Sequence, residues 1–390
     1  MRTSRSKPAK LAAAAAVVAA VCAASACASS SSSGGGGGGG AAAAQAPSSV
    51  TYGEVGTPGE VPAVDFGTSN YFSAIEKKYN TTINVQYYTS PTTAFAALEA
   101  GQIQYLDASP ATLMLTQSKG QGSDLVTLAS IAQGGEGVFV APVGSKSKGT
   151  GITAVKNYGA GTTWGVPSIG GVGQFYVDLA LKSQGIDYSK VTQVSLGAGT
   201  VAAVESNRVG ITTAGVTQAY PIVAQNKVYL VWFTSGEEAY QKFGYIPADA
   251  MMSTNSFIKQ YPALTQALVG SELQSVAFFQ KNVNSPQTVY NALSSKAKQA
   301  ITEAQFVAVW PFVRAVSVPT TGMLTQQSMD RYATLLKQYG FLPSSYTPPS
   351  TLANTSLVTG AYRALGETAP ASPINSKYTS VMNDSRIALG

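Results

Sequence analysis

Residues 95–110 read FAALEAGQIQYLDASP, and residues 201–216 read VAAVESNRVGITTAGV. At a constant offset of 106 residues, Ala96 and Ala97 fall on Ala202 and Ala203, Leu98 on Val204, Glu99 on Glu205, Gly101 on Asn207 and Ile103 on Val209. Each copy reads as a short helix, then a Gly or Asn able to hold the left-handed turn that ends a helix, then an apolar strand. A loop of small residues follows, Ala108-Ser109-Pro110 in one copy and Ala214-Gly215-Val216 in the other. Strand-like stretches precede both copies, at residues 83–88 and 191–196, with a helix and a further strand before each. Ala-rich helix-to-strand joins are common enough for chance to compete as an explanation. The matching neighbours favour duplication of a β-α-β-α-β unit.

A chain of 390 residues has room for two core-bearing lobes. Hydrophobic residues make up 45% and charged residues 11%, a globular composition with a sparse surface charge. The net charge is +6, but Arg2, Arg5, Lys7 and Lys10 supply most of the excess. No basic run remains to grip a phosphate backbone, which argues against a nucleic-acid partner. The chain has no His, and its two cysteines, Cys22 and Cys27, lie near the N-terminus. His-dependent catalysis, His metal sites and a thiolate nucleophile in the folded part are thereby excluded. A hydrolase built on paired carboxylates stays conceivable, although no such pair stands out. Neither a cofactor nor a metal is expected.

Residues 1–27 have the form of a secretion signal, with a basic start, an apolar stretch at 11–21 too short to span a bilayer, and small residues after it. Ala24-Ser25-Ala26-Cys27 resembles a bacterial lipobox, with Ala24 where Leu is usual, so that Cys27 would be the lipidated residue. Ordinary cleavage after Ala24-Ser25-Ala26 is the alternative. Residues 28–49, rich in Ser, Gly and Ala, read as a flexible tether, which favours the lipid anchor.

Lobe I is expected to begin with residues 50–138. Its first strand is read at 64–67, followed by a helix over 70–79, a strand at 83–88 and the first repeat copy. A helix over 111–118 and strands at 125–132 and 138–143 come next, the last apolar enough to be buried on both faces. Lobe II spans 139–250, with a strand at 163–167, a glycine-rich turn at 168–173 opening a helix, the second repeat copy and a strand at 229–233. The chain then returns to lobe I over 251–345 as helices at 262–281, 286–304 and 328–339. Residues 346–390 form a Pro- and Ser-rich tail expected to drape over the surface. Alternating strands and helices imply one α/β sheet per lobe.

Ala97-Leu98-Glu99-Ala100-Gly101-Gln102-Ile103 with Ala108-Ser109-Pro110 resembles the first-lobe motif of the nitrate/sulfonate/taurine-type substrate-binding proteins of ABC importers, a group that includes a thiamine-precursor branch. Gly165-Val166-Pro167-Ser168, Tyr176 and residues 179–187 resemble that family's second-lobe opening, and residues 257–262 its segment after the return. Gln104 and Gly210 stand where the family usually has Asp, and Gly215-Val216-Thr217 replaces its Trp-Glu-Pro-like loop. The resemblance implies a type II periplasmic-binding-protein fold: two lobes, each a mostly parallel sheet flanked by helices, joined by two crossover segments. It also implies a lipid-anchored, monomeric extracytoplasmic receptor that captures a small ligand and delivers it to a membrane permease and its ATPase subunits. Two other readings stay open, a secreted enzyme on the same architecture and a ligand sensor for a membrane kinase.

In sheets of this kind ligands sit outside the carboxyl ends of the strands. The candidate ligand-binding residues are therefore those of the strand-end loops and the helix starts after them: Ser69, Asn70 and Tyr71; Ser109 and Pro110; Gly135 and Glu136; Ser168, Gly170, Gly171, Gln174 and Tyr176; Thr213, Gly215 and Thr217. Helix starts at Ser109 and Ser168 would face each other and hold an anion by N–H groups. Alternatively, Tyr71, Tyr176 and Glu136 would hold a heterocycle.

Overall fold

The computed structural model describes residues 45–56, 70–135 and 137–383. The signal, Cys27 and most of the tether lie outside these residues, as do Ser69, Glu136 and the strand expected at 64–67. The first described strand is β1, Ser49–Val55, where alternating Val50 and Tyr52 point into the core.

In lobe I the chain runs β1, α1 (Phe72–Tyr79), β2 (Thr82–Tyr88), α2 (Pro91–Glu99), β3 (Tyr105–Ala108), α3 (Pro110–Ser118) and β4 (Leu125–Ser130). It enters lobe II through β5 (Gly137–Pro142) and continues as β6 (Thr163–Val166), α4 (Val172–Ser183), β7 (Thr192–Ser195), α5 (Thr200–Glu205), β8 (Ile211–Gly215), α6 (Val216–Ala224), β9 (Val228–Phe233) and α7 (Glu237–Phe243). It re-enters lobe I through β10 (Ala250–Thr254). The sheets have matching orders, β2-β1-β3-β10-β4 and β7-β6-β8-β5-β9. In each, the strand that has just crossed from the other lobe, β10 or β5, runs antiparallel between two neighbours. The other four strands share one direction, so the sheets are mixed in their pairings while mostly parallel in strand direction.

The repeat is reproduced bond for bond. Gly101 and Asn207 both adopt positive φ, at 70° and 57°. Gln102 N–H donates to Ala97 O at 2.9 Å, and Arg208 N–H to Ala203 O at 2.8 Å, the six-residue closure that ends a helix with a left-handed residue. Gln104 N–H then bonds Thr51 O in β1, and Gly210 N–H bonds Thr163 O in β6, each at 3.0 Å. The same turn therefore docks the same strand in both lobes.

The two crossings pair with each other. Ala248 N–H donates to Ala132 O at 3.0 Å, Gly134 N–H to Ile246 O at 2.8 Å, and Gln133 and Pro247 form a bridge. The buried Gln133 amide donates to Ser235 O on the lobe II side and to Ala315 O in a later helix. The two crossings thus form a short antiparallel ribbon with an internal polar anchor.

After β10 come α8 (Asn255–Gln260) and α9 (Pro262–Lys281), the latter as the sequence indicates. The helix expected over 286–304 is instead α10 (Pro286–Ala292) and α11 (Ser295–Ala300), followed by an unforeseen α12 (Glu303–Ser317). Ser294 accepts from Ala297 N–H to start α11, and Thr302 with Gln305 forms a capping box that starts α12. Phe312 of α12 packs on Tyr220 and Phe233 of lobe II, with ring centroids 5.6 and 5.2 Å apart. Next, α13 (Gln326–Gln338) bridges the lobes on another side. Its Tyr332 meets Phe175 of α4, and its Arg331 donates to Phe243 O.

The tail does not drape. Leu352 is fully buried, and its carbonyl accepts from both the N–H and the hydroxyl of Thr127, adding a bridge at the β4 edge. Beyond it α14 (Thr355–Ala364) buries Leu357, Val358 and Ala361. Apolar residues spaced along a polar segment can be seen in the sequence, but their docking partner 225 residues away cannot. Leu352→Ala should cost about 2–5 kcal/mol of stability by chemical denaturation, because the pocket at the β4 edge cannot collapse onto Ala. A loss below about 0.5 kcal/mol, the range of a surface change, would contradict this packing.

Candidate functional site

A cavity of about 500 Å³ lies where the carboxyl ends of the two sheets meet. Lobe I contributes Val55 and Gly56 from the end of β1, and Thr89 and Pro91 from the β2–α2 turn. Lobe II contributes Pro167 and Ser168 after β6, Gly171, Val172 and Gly173 at the start of α4, Gly197 and Ala198 after β7, and residues 213–218 at the β8–α6 join. Gly135 and Gly137 come from the first crossing, and Phe312, Val313, Val316 and Ser317 of α12 form an apolar wall. No ionisable side chain is among these described lining residues.

Three helices begin on the cavity: α2, α4 and α6. Their N-cap residues are Ser90, Gly171 and Gly215; the Ser90 hydroxyl makes no cap bond, and the two glycines have no side chain to make one. Backbone N–H groups of the first turns therefore keep donors for something other than their own cap. Each such terminus carries about half a positive charge, so three on one cavity favour an anion, with no Lys or Arg among the described lining residues.

The glycines let backbone come this close. A Cβ on Gly135 would stand 2.4 Å from the Tyr176 ring, and one on Gly171 would stand 2.4 Å from Ser168 Oγ. At Gly173 it would meet Pro167 at 3.0 Å and Thr213 at 3.2 Å.

Six of the residues singled out from sequence line this cavity: Gly135, Ser168, Gly171, Thr213, Gly215 and Thr217. The others are placed elsewhere. Asn70 is exposed, and its amide donates to Ala292 O. Tyr71 packs on the lobe I core, where burial raises its hydroxyl pKa. Ser109 is buried and its hydroxyl lies beside that of Tyr332, so α13 covers the start of α3, with Pro110 buried in its first turn. The lobe I helix start that shares the cavity with Ser168 is that of α2. Gly170 takes φ 80° and its N–H donates to Gln174 Oε1, which makes both parts of the turn's own scaffold. Tyr176 is buried behind Gly135. Ser69, Glu136 and Cys27 fall outside the described residues.

The α12 wall was missed from sequence. Its local signal was present: Thr302-x-x-Gln305 is a capping-box pattern preceding an apolar run. Pro311 within that run obscured it. A second hollow, of about 380 Å³, opens on lobe I beside Glu99 and Asp124. There the carboxylates accept from Gly122 N–H and from Ser256, so the fold itself occupies them.

Solved structures share this architecture. The periplasmic nitrate-binding protein NrtA from Synechocystis PCC 6803 superposes with a TM-score of 0.65 at 15% identity, covering 84% of this chain and 92% of its own. The alkanesulfonate-binding protein SsuA from Xanthomonas axonopodis pv. citri, bound to MOPS, gives 0.59 at 14% identity, covering 79% and 96%. The aliphatic sulphonate-binding SsuA from Escherichia coli gives 0.60 at 12% identity, covering 80% and 93%. The likeness is one of fold, that of the periplasmic binding proteins. No curated protein matches the chain in sequence. The NMT1-like family matches residues 44–291, more than half of the sequence, and the chain belongs to that family.

Proposed function

We propose that this protein is the extracytoplasmic receptor of an ABC importer and that it captures a small organic anion between its lobes. The observation that carries the reading is the cavity itself, with three helix starts on it, no ionisable side chain among its described lining residues and an apolar wall from α12. Hydrogen bonds to an ion contribute about 1.5–3 kcal/mol each, so a few backbone N–H groups suffice for micromolar affinity. The wall of Phe312, Val313 and Val316 favours an anion carrying a hydrocarbon part, such as a sulfonate or carboxylate, over bare nitrate. The heterocycle alternative has less support, because Tyr71 and Tyr176 lie off the cavity. Ligands named for the sulfonate- and nitrate-binding proteins of the same fold agree in charge with this chemistry. The lack of titrating side chains among the described lining residues also favours a binder over an enzyme.

The remaining parts of the reading follow from the N-terminus. Cys27 would carry the lipid, the tether would span to the folded part, and a permease with its ATPase would accept the ligand. Among the described residues no helix is long and apolar enough to cross a membrane. Cys27→Ser should move the protein from the membrane fraction to the soluble fraction with ligand affinity unchanged. Wild type found wholly in the medium would count against the anchor.

The ligand reading is tested by calorimetry with straight-chain alkanesulfonates. Affinity should rise by about fourfold per added methylene until the cavity is filled, as expected for about 0.8 kcal/mol per buried CH₂. Ser168→Ala should weaken binding by about tenfold, the loss of one hydrogen bond to an ion. Phe312→Ala should flatten the chain-length dependence while leaving the shortest sulfonate little changed. Binding of a neutral heterocycle with no response to any sulfonate would overturn the anion reading.

A further inference from the structure

The segment between α12 and α14 makes an excursion that takes no part in the cavity lining. It leaves lobe I at the edge strand β4, where Ser130 N–H donates to Gly322 O at 3.0 Å. It returns to the same strand, where Thr127 N–H donates to Leu352 O at 2.8 Å. Between these attachments lies α13, started by the reciprocal bonds of Thr325 and Ser328. Its buried residues Met329, Tyr332, Ala333 and Leu336 fall on one face at helical spacing. Much of what the excursion touches belongs to lobe II.

Two helix C-termini are capped across this contact. Arg331 of α13 donates at 2.8 Å to the carbonyl of Phe243, the last residue of α7. Lys182 of α4 donates in turn to the carbonyl of Gln338, the last residue of α13. Each cation therefore satisfies an orphan carbonyl at the negative end of a helix on the other side of the contact. Rings fill the remainder. Phe175 of α4 meets Tyr332 and Phe341 at centroid distances of 6.0 and 5.3 Å, and Phe243 meets Tyr339 at 5.9 Å. Two glycines leave the room that this takes. A Cβ on Gly244 would overlap the Arg331 guanidinium, and one on Gly340 would overlap the Tyr188 hydroxyl.

The returning chain holds lobe I close to the cavity. The Tyr346 carbonyl accepts from Lys337 at 3.2 Å, and its hydroxyl donates to Gln117 Oε1 of α3 at 2.8 Å. On the same helix Leu115 lies beside Gly170, where a Cβ would meet it at 3.8 Å. Gly170 belongs to the lobe II turn whose Ser168 and Gly171 line the cavity. Parting the lobes at this turn must therefore strain the excursion, whose ends stay on β4 while its body stays on α4 and α7.

We propose that residues 323–351 form a strap across the two lobes, and that release of its lobe II face, held by Arg331 and Lys182, gates ligand exchange at the cavity. The gate rests on the reading of the cavity as the ligand site, whereas the opening that it controls can be measured without a ligand. The lining residues are the same with the strap fastened or released, so the strap acts on the rate of exchange and not on which ligand is chosen.

A thiol placed in the cavity tests this. In the whole chain with Cys22→Ser and Cys27→Ser, Ser317→Cys on the α12 wall supplies the single thiol, and its reaction with a small maleimide reports how often the lobes part. Adding Arg331→Met and Lys182→Met should speed that reaction by about tenfold, through loss of two hydrogen bonds to cations that water partly screens. Dissociation of hexanesulfonate should quicken in step. Faster labelling with no sulfonate bound would support the strap and count against the anion reading alone. Should the double variant fail to fold, Lys182→Cys and Gln338→Cys joined by a bis-maleimide, with Ser317 unchanged, should slow hydrogen exchange across residues 168–173 and 213–218. Equal labelling with and without the two cations, or exchange untouched by the bridge, would overturn the proposal.

Discussion

Each sheet of this protein is completed by a strand that arrives from the other lobe. β5 enters lobe II and β10 enters lobe I, and each lies antiparallel between two strands of its new sheet. Neither lobe can form its full sheet until the chain has crossed, and the two crossings must run side by side to deliver both strands. They do so as a hydrogen-bonded ribbon, tied by the Gln133 amide to Ser235 and to α12. This arrangement sets the carboxyl edges of the two sheets against each other. The cavity, the helix starts that face it and the α12 wall all follow from that one topological constraint.

The electrostatics of the two lobes follow a common logic. The described lining residues of the cavity include no cationic side chain, so an anion held there would be met by backbone dipoles. In the lobe I core, burial raises the Asp107 and Glu272 carboxyls above their usual range. A chain with 11% charged residues and no His has little capacity for ion pairing. Its Lys190–Asp187 and Lys227–Glu205 pairs are both largely exposed, where such pairs contribute little. Stability rests instead on apolar packing, such as Phe139 edge-on to Trp164 and Trp232 at 5.2 and 5.1 Å.

The duplication was legible because it is local. The Gly101 and Asn207 turns are fixed by residues within six positions of each other, and their offset of 106 survives in the hydrogen bonds. The cavity loops after β6 and β8 were legible for the same reason, since a helix that starts at a strand's carboxyl end must begin there. What stayed hidden depends on distant partners. Ser109 opens a helix as Ser168's turn does, yet Tyr332, more than 220 residues later, covers it. The α12 wall was masked by Pro311, and the buried residues Glu54 and Asp107 come side by side only through strand register. Leu352 reads as tail until its contact with Thr127 is seen.

The central claim is that a single small anion occupies the space between the lobes. Native mass spectrometry of freshly purified protein, followed by denaturation and detection of the released species in both ion modes, tests it most directly. The account predicts one bound organic anion per chain, released on unfolding and absent from a Gly171→Val variant whose added side chain fills the start of α4. A bound cation or neutral heterocycle, or equal retention of the anion by the Gly171→Val variant, would contradict it.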